Sequence, residues 1–71
     1  MDLKNLSANA HFIRLSDQPD WYVHFVNDEY KTLQGCIGAC VWFDERIAND
    51  FIKVTGVNNL EAVKVADILK K

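Results

Sequence analysis

The sequence predicts an α+β domain: a small antiparallel β-meander of three to four strands followed by two α-helices packed on one face. Three observations lead there. Aromatic and β-branched runs with a period of two fill residues 10–43, punctuated by turn residues. After Asp44 the apolar residues recur at helical spacing between capping residues. The chain has 71 residues, which is room for one core, so 1–71 is read as a single domain.

Residues 1–9 hold Leu3 and Leu6 at helical spacing but are diluted by Asn5, Ser7 and Asn9, predicting a frayed start or one short helical turn. Residues 10–15 (AHFIRL) read as a short strand, and 16–20 (SDQPD) as a turn in which Pro19 presets its own φ and keeps Gln18 extended. Residues 21–26 (WYVHFV) give the clearest strand. Alternation puts Trp21, Val23 and Phe25 on one face, and Tyr22, His24 and Val26 on the other. A polar loop at 27–29 leads into a hairpin partner at 30–34.

In 33–45 (LQGCIGACVWFDE), Gly35 and Gly38 oppose a helix. Residues 36–43 are therefore expected as a fourth short strand, or as a bent continuation of the third with a break near Gly35. Asp44 is placed to cap a helix with the apolar stripe Ile47, Ala48, Phe51 and Ile52, ended by Gly56. Asn58 or Asn59 is expected to cap a second helix with Ala62, Val65, Ala66 and Leu69 on one face and terminal lysines at its end, so that 44–70 is all helical.

The net charge of −2 supplies no general attraction to nucleic acid or an anionic membrane. The acidity sits in the first half, where Asp17, Asp20, Asp28 and Glu29 mark the expected turns. The opening Met1-Asp2-Leu3-Lys4 lacks a basic run followed by an apolar one, and no stretch reaches the ~20 apolar residues of a membrane span. With two cysteines and no leader, the expectation is a cytoplasmic protein with free thiols and no membrane partner.

Cys36 and Cys40 invite the question of chemistry. Together with His11 and His24 they make four zinc-type ligands, but the histidines lack the close spacing of a zinc motif. On one strand the two cysteines would lie ~13 Å apart, beyond disulfide reach. The spacing is not that of a redox pair, and no base or oxyanion donor accompanies a nucleophile. The carboxylate pairs Asp28-Glu29 and Asp44-Glu45 have turn and capping roles. The expectation is no metal, no cofactor and no catalysis, with both cysteines packing in a core.

Two helices cover only one face of a sheet, so Tyr22, His24 and Trp42 are expected on an open, semi-apolar face. The predicted function is a small non-enzymatic binding module with those three as anchors and Asp17, Asp20, Asp28 and Glu29 steering the approach. It would act as a regulator or inhibitor, of the viral or mobile-element type, that covers a basic surface of nucleic-acid machinery, or it would self-associate as a dimer. The alternative is a helix-turn-helix-like DNA-binding regulator. Residues 47–69 weakly resemble that motif, and Asn58, Asn59 and Lys64 would face the bases, although Glu61 and Asp67 repel phosphate.

Overall fold

A computed structural model describes residues 9–69, so the expectation for the amino-terminal segment falls almost wholly outside the described residues. The elements are β1 (His11–Leu15), β2 (Trp21–Val26), β3 (Glu29–Gln34), α1 (Glu45–Thr55), β4 (Leu60–Lys64) and α2 (Val65–Leu69). The strands form one antiparallel sheet in the order β3-β2-β1-β4. The fold is α+β.

The β2–β3 hairpin follows from its sequence. Asn27 and Asp28 both have positive φ (52° and 63°), the mark of a two-residue turn whose twist matches its strands. Asn and Asp tolerate that conformation better than other side chains. The ladder runs without a bulge from Val26 opposite Glu29 to Trp21 opposite Gln34, so Glu29 is the first residue of β3 rather than part of the loop.

Residues 36–43 do not form the expected strand. Gly35 (φ 92°) turns the chain off β3. Residues 36–39 then close a β-turn in which the Ala39 N–H donates to the Cys36 carbonyl at 3.1 Å, with Gly38 (φ 83°) at the position that needs a left-handed residue. The chain returns between two strands. β1 and β2 share one register pair, Arg14 with Tyr22. Beyond it, Val23 O accepts from Cys40 N at 3.0 Å, while His11 and Trp42 exchange both backbone hydrogen bonds at 2.6 and 2.9 Å. Residues 40–42 thus fill a split in the sheet.

The first half of the expected second helix is replaced by β4. Residues 60–64 pair with β1 from Leu60 opposite Leu15 to Lys64 opposite His11. The stretch LEAVK carries a period of two as well as a helical one: Leu60 and Ala62 pack on one side of the sheet, Glu61 and Val63 on the other. An unpaired β1 would leave its backbone groups unsatisfied, and that tertiary demand outweighs helix propensity. Only Val65–Leu69 remain helical. α1 follows its sequence closely. Asp44 caps it by accepting the Arg46 N–H at 2.8 Å, and Gly56 (φ 71°) ends it with a hydrogen bond to Lys53 O.

The sheet is covered on both sides. Phe12 and Tyr22 pack with Ala10 and Val65, under Cys36, Ala39, Val41 and Ile68. Ile13 and Val23 pack with Trp42 and Ala48, beside Cys40, Phe51 and Ile52. Neighbouring residues on one strand point to opposite faces, so α1 and α2 serve opposite faces instead of sharing one.

Two substitutions in the returning segment test this packing. Trp42→Ala should cost about 3–5 kcal/mol, a large part of the stability of a domain this small. Ile37→Ala, at a side chain 94% exposed, should change stability by less than about 0.5 kcal/mol. Urea unfolding of both variants measures the contrast.

Candidate docking surface

The three expected anchors lie inside the molecule. Tyr22, His24 and Trp42 keep only 6%, 7% and 8% of their surface exposed, which corrects the expectation of an open face. The segment expected to be a strand folds over that face instead. Tyr22 meets Phe12 edge-to-face at 5.5 Å. His24 donates its Nε2 hydrogen to the Gly35 carbonyl at 3.0 Å and so holds the start of the returning segment. Trp42 sits on the α1 side, with ring centroids 4.9 Å from Phe51 and 6.3 Å from Tyr30.

The four steering carboxylates are exposed but do not form one patch. Asp17 and Asp20 precede β2, and Asp28 and Glu29 follow it, so the pairs lie at opposite ends of a six-residue strand, ~20 Å apart. Asp17 accepts from Asn59 Nδ2 at 3.3 Å. Asp20 lies beside the far end of β3, its carbonyl taking the Gly35 N–H at 2.7 Å.

What the structure brings together is a strand edge. β3 is the outer strand on its side of the sheet, and all six of its residues are exposed. The Gly35 N–H points toward β2, so by alternation the peptides of Leu33, Lys31 and Glu29 do the same. The peptides of Tyr30, Thr32 and Gln34 therefore face outward. β3 has no proline and no bulge; its charged pair, Glu29 and Lys31, lies 3.7 Å apart.

Beside this edge lies an apolar groove of about 310 Å³ between the sheet and the end of α1, lined by Val23, Tyr30, Thr32, Phe51 and Val57 among others. Phe25 and Tyr30 are each 52% exposed, with centroids 4.8 Å apart, and Tyr30 leans on Phe51 at 4.7 Å. Trp21, Val23 and Phe25 share a face as their alternation predicts; α1 covers Val23 and leaves Trp21 and Phe25 exposed at its margin. Nothing local marks β3 as an outer strand, because that depends on where β4 pairs.

The groups that might do chemistry are kept apart. Cys36 belongs to one core and Cys40 to the other, so the thiols lie on opposite sides of the sheet. Burial pushes the Cys40 thiol above its usual range, with the Val41 backbone hydrogen bond opposing. Among the described residues no three His, Cys, Asp or Glu side chains gather as metal ligands. A polar cavity near β4 is lined by His11, Glu45, Asn49, Lys64 and Asp67, but by no Ser, Thr or Cys. Within it, His11 donates from Nδ1 to Asn9 O at 2.8 Å, and its Nε2 lies 3.9 Å from Glu45 Oε2.

Beside that cavity, Arg14 bonds Glu61 across the β1–β4 ladder at 2.7 Å. Burial works against the Arg14 charge, yet its bonds and charge contacts with Glu61 and Tyr22 outweigh it and raise the guanidinium pKa further. Residues 47–69 do not form a helix-turn-helix: Asn58 and Asn59 lie in a turn, and Lys64 ends β4. No helix among the described residues is long and apolar enough to cross a membrane.

The raised Cys40 pKa leaves less thiolate at neutral pH and slows alkylation. Iodoacetamide at pH ~7.5 should modify Cys40 more slowly in the folded chain than in urea, as followed by peptide mass spectrometry.

No protein-family model, curated protein or solved structure matches the chain, so a functional reading rests on this surface geometry.

Proposed function

We propose that the protein is a small non-catalytic binding module that docks a protein partner by strand addition along β3, with the neighbouring groove receiving partner side chains. One observation carries the reading: among the described residues β3 is an outer strand, the outward peptide groups of Tyr30, Thr32 and Gln34 pair with no other strand, and half-exposed aromatics lie beside them. Backbone hydrogen bonds supply affinity in this mode and adjacent pockets supply selectivity. The module would regulate or inhibit by occupying its partner's surface, and free Cys36 and Cys40 suit a reducing, cytoplasmic setting.

The test is Thr32→Pro. The Thr32 N–H points away from β2, so proline removes an outward donor and leaves the β2–β3 ladder intact. The variant should unfold within about 1 kcal/mol of the parent. In affinity capture it should lose a protein that the parent retains, and the Tyr30 and Thr32 amides of the parent should become protected from hydrogen exchange in that complex. Retention of the same proteins by both chains, or protection elsewhere, would contradict the reading.

A further inference from the structure

We infer that the strand added to β3 is β3 of a second copy of this chain, antiparallel and centred on Tyr30. This rests on strand docking at β3 and names the occupant. A two-fold pairing asks one surface to complement itself. Centred on Tyr30, Glu29 lies opposite Lys31 of the second copy, and Lys31 opposite its Glu29. Within one chain these charges already approach to 3.7 Å, with the Lys31 and Glu29 side chains 48% and 68% exposed. The second copy completes a ring in which each carboxylate lies beside two ammonium groups. Directly opposed unlike charges stabilise a strand pair.

On the other face of the strand, Tyr30 lies opposite Tyr30. β2 already pairs Phe25 with Tyr30, their centroids 4.8 Å apart and both rings half-exposed. The joint therefore extends one aromatic row, Phe25 and Tyr30 of one copy continuing into Tyr30 and Phe25 of the other. Cross-strand aromatic pairs add to the stability of a ladder, and this one covers rings that a single chain leaves in water. The backbone accepts the register. The Tyr30 N–H and carbonyl both face outward, so the two Tyr30 residues exchange hydrogen bonds across the axis. The Glu29 N–H points toward β2, which turns the Asp28 carbonyl of the same planar peptide outward, where it accepts the Thr32 N–H of the second copy.

Other registers match less. Centring on Lys31 sets lysine against lysine, and a parallel copy in register aligns like charges. Centring on Thr32 pairs the Gln34 peptide as well, but sets Glu29 against Gly35 and Lys31 against Leu33, so no charge or ring finds a counterpart. At the rim the Gln34 peptide keeps its hydrogen bonds to water, so leaving it unpaired costs little. A joint this short belongs with small, reversible interfaces.

The experiment is sedimentation equilibrium of the full chain from ~10 μM to ~1 mM, the range of a weak interface, with amide hydrogen exchange at both extremes. The mass should rise from one chain toward two, and the Tyr30 and Thr32 amides should gain protection as it does. Lys31→Glu sets glutamate against glutamate on both sides of the axis and should weaken association at least about tenfold. Adding Glu29→Lys to it restores opposite pairs at unchanged net charge and should return association to within about threefold of the parent. Both changes lie at exposed side chains and should leave the melting temperature near that of the parent. Thr32→Pro should abolish the doubled mass.

A monomer throughout the range would overturn the inference, while capture of a different protein lost in Thr32→Pro would leave strand docking standing. A dimer lost in Thr32→Pro but indifferent to Lys31→Glu would overturn the Tyr30 register and leave docking at β3 standing. A dimer that survives Thr32→Pro, with protection away from β3, would overturn the inference and the docking reading together.

Discussion

Strands β1 and β2 share one register pair, Arg14 with Tyr22, and then diverge. Left unfilled, that split would leave the peptide groups of the buried residues His11 and Val23 unpaired in the middle of the sheet. Residues 40–42 enter it, and three backbone hydrogen bonds close it: Cys40 N–H to Val23 O, and the reciprocal pair between His11 and Trp42. An unsatisfied buried peptide group costs about 1–3 kcal/mol. Losing the closure would therefore remove much of the few kcal/mol by which a small domain exceeds its unfolded state. The rest of the architecture depends on this segment. On the way in it lays Cys36 and Ala39 over Phe12 and Tyr22, and at its end it delivers Trp42 to the other core.

The geometry of the split explains where the open surface lies. Because the returning segment covers the Tyr22 and His24 face, the side chains best suited to be anchors become internal supports. Because β4 pairs with β1, the sheet grows on that side, and β3 is left as an outer strand with aromatics beside it. The proposed docking edge is one of the two outer strands of the sheet, β4 being the other.

The parts legible in the sequence are those decided locally. Strand 21–26 follows from its composition, the hairpin from Asn27-Asp28, and α1 from Asp44 and Gly56 as caps. The packing role of both cysteines follows from their setting. What could not be read was decided by distant partners. Residues 60–64 satisfy a helical period and a strand period together, and the choice is made by β1, some fifty residues earlier in the chain, which needs a neighbour. The 36–43 segment contains the right hydrogen-bonding residues for strand pairing, but they serve two strands over three residues and not one strand over eight. Tyr22 and His24 are internal for the same reason: the returning segment, and not a helix, lies against them.

Native-state hydrogen exchange at individual amides tests the central role of the returning segment most directly. The Cys40 and Trp42 amides lie in what the sequence marks as a glycine-rich loop, yet they should exchange only through global unfolding, as slowly as the Val23 and Ile13 amides of the sheet. The Ile37 amide, a few residues earlier, should exchange orders of magnitude faster. Fast exchange of Cys40 and Trp42 alongside slow exchange of β1 and β2 would show that the sheet stands without its wedge, and would contradict the account.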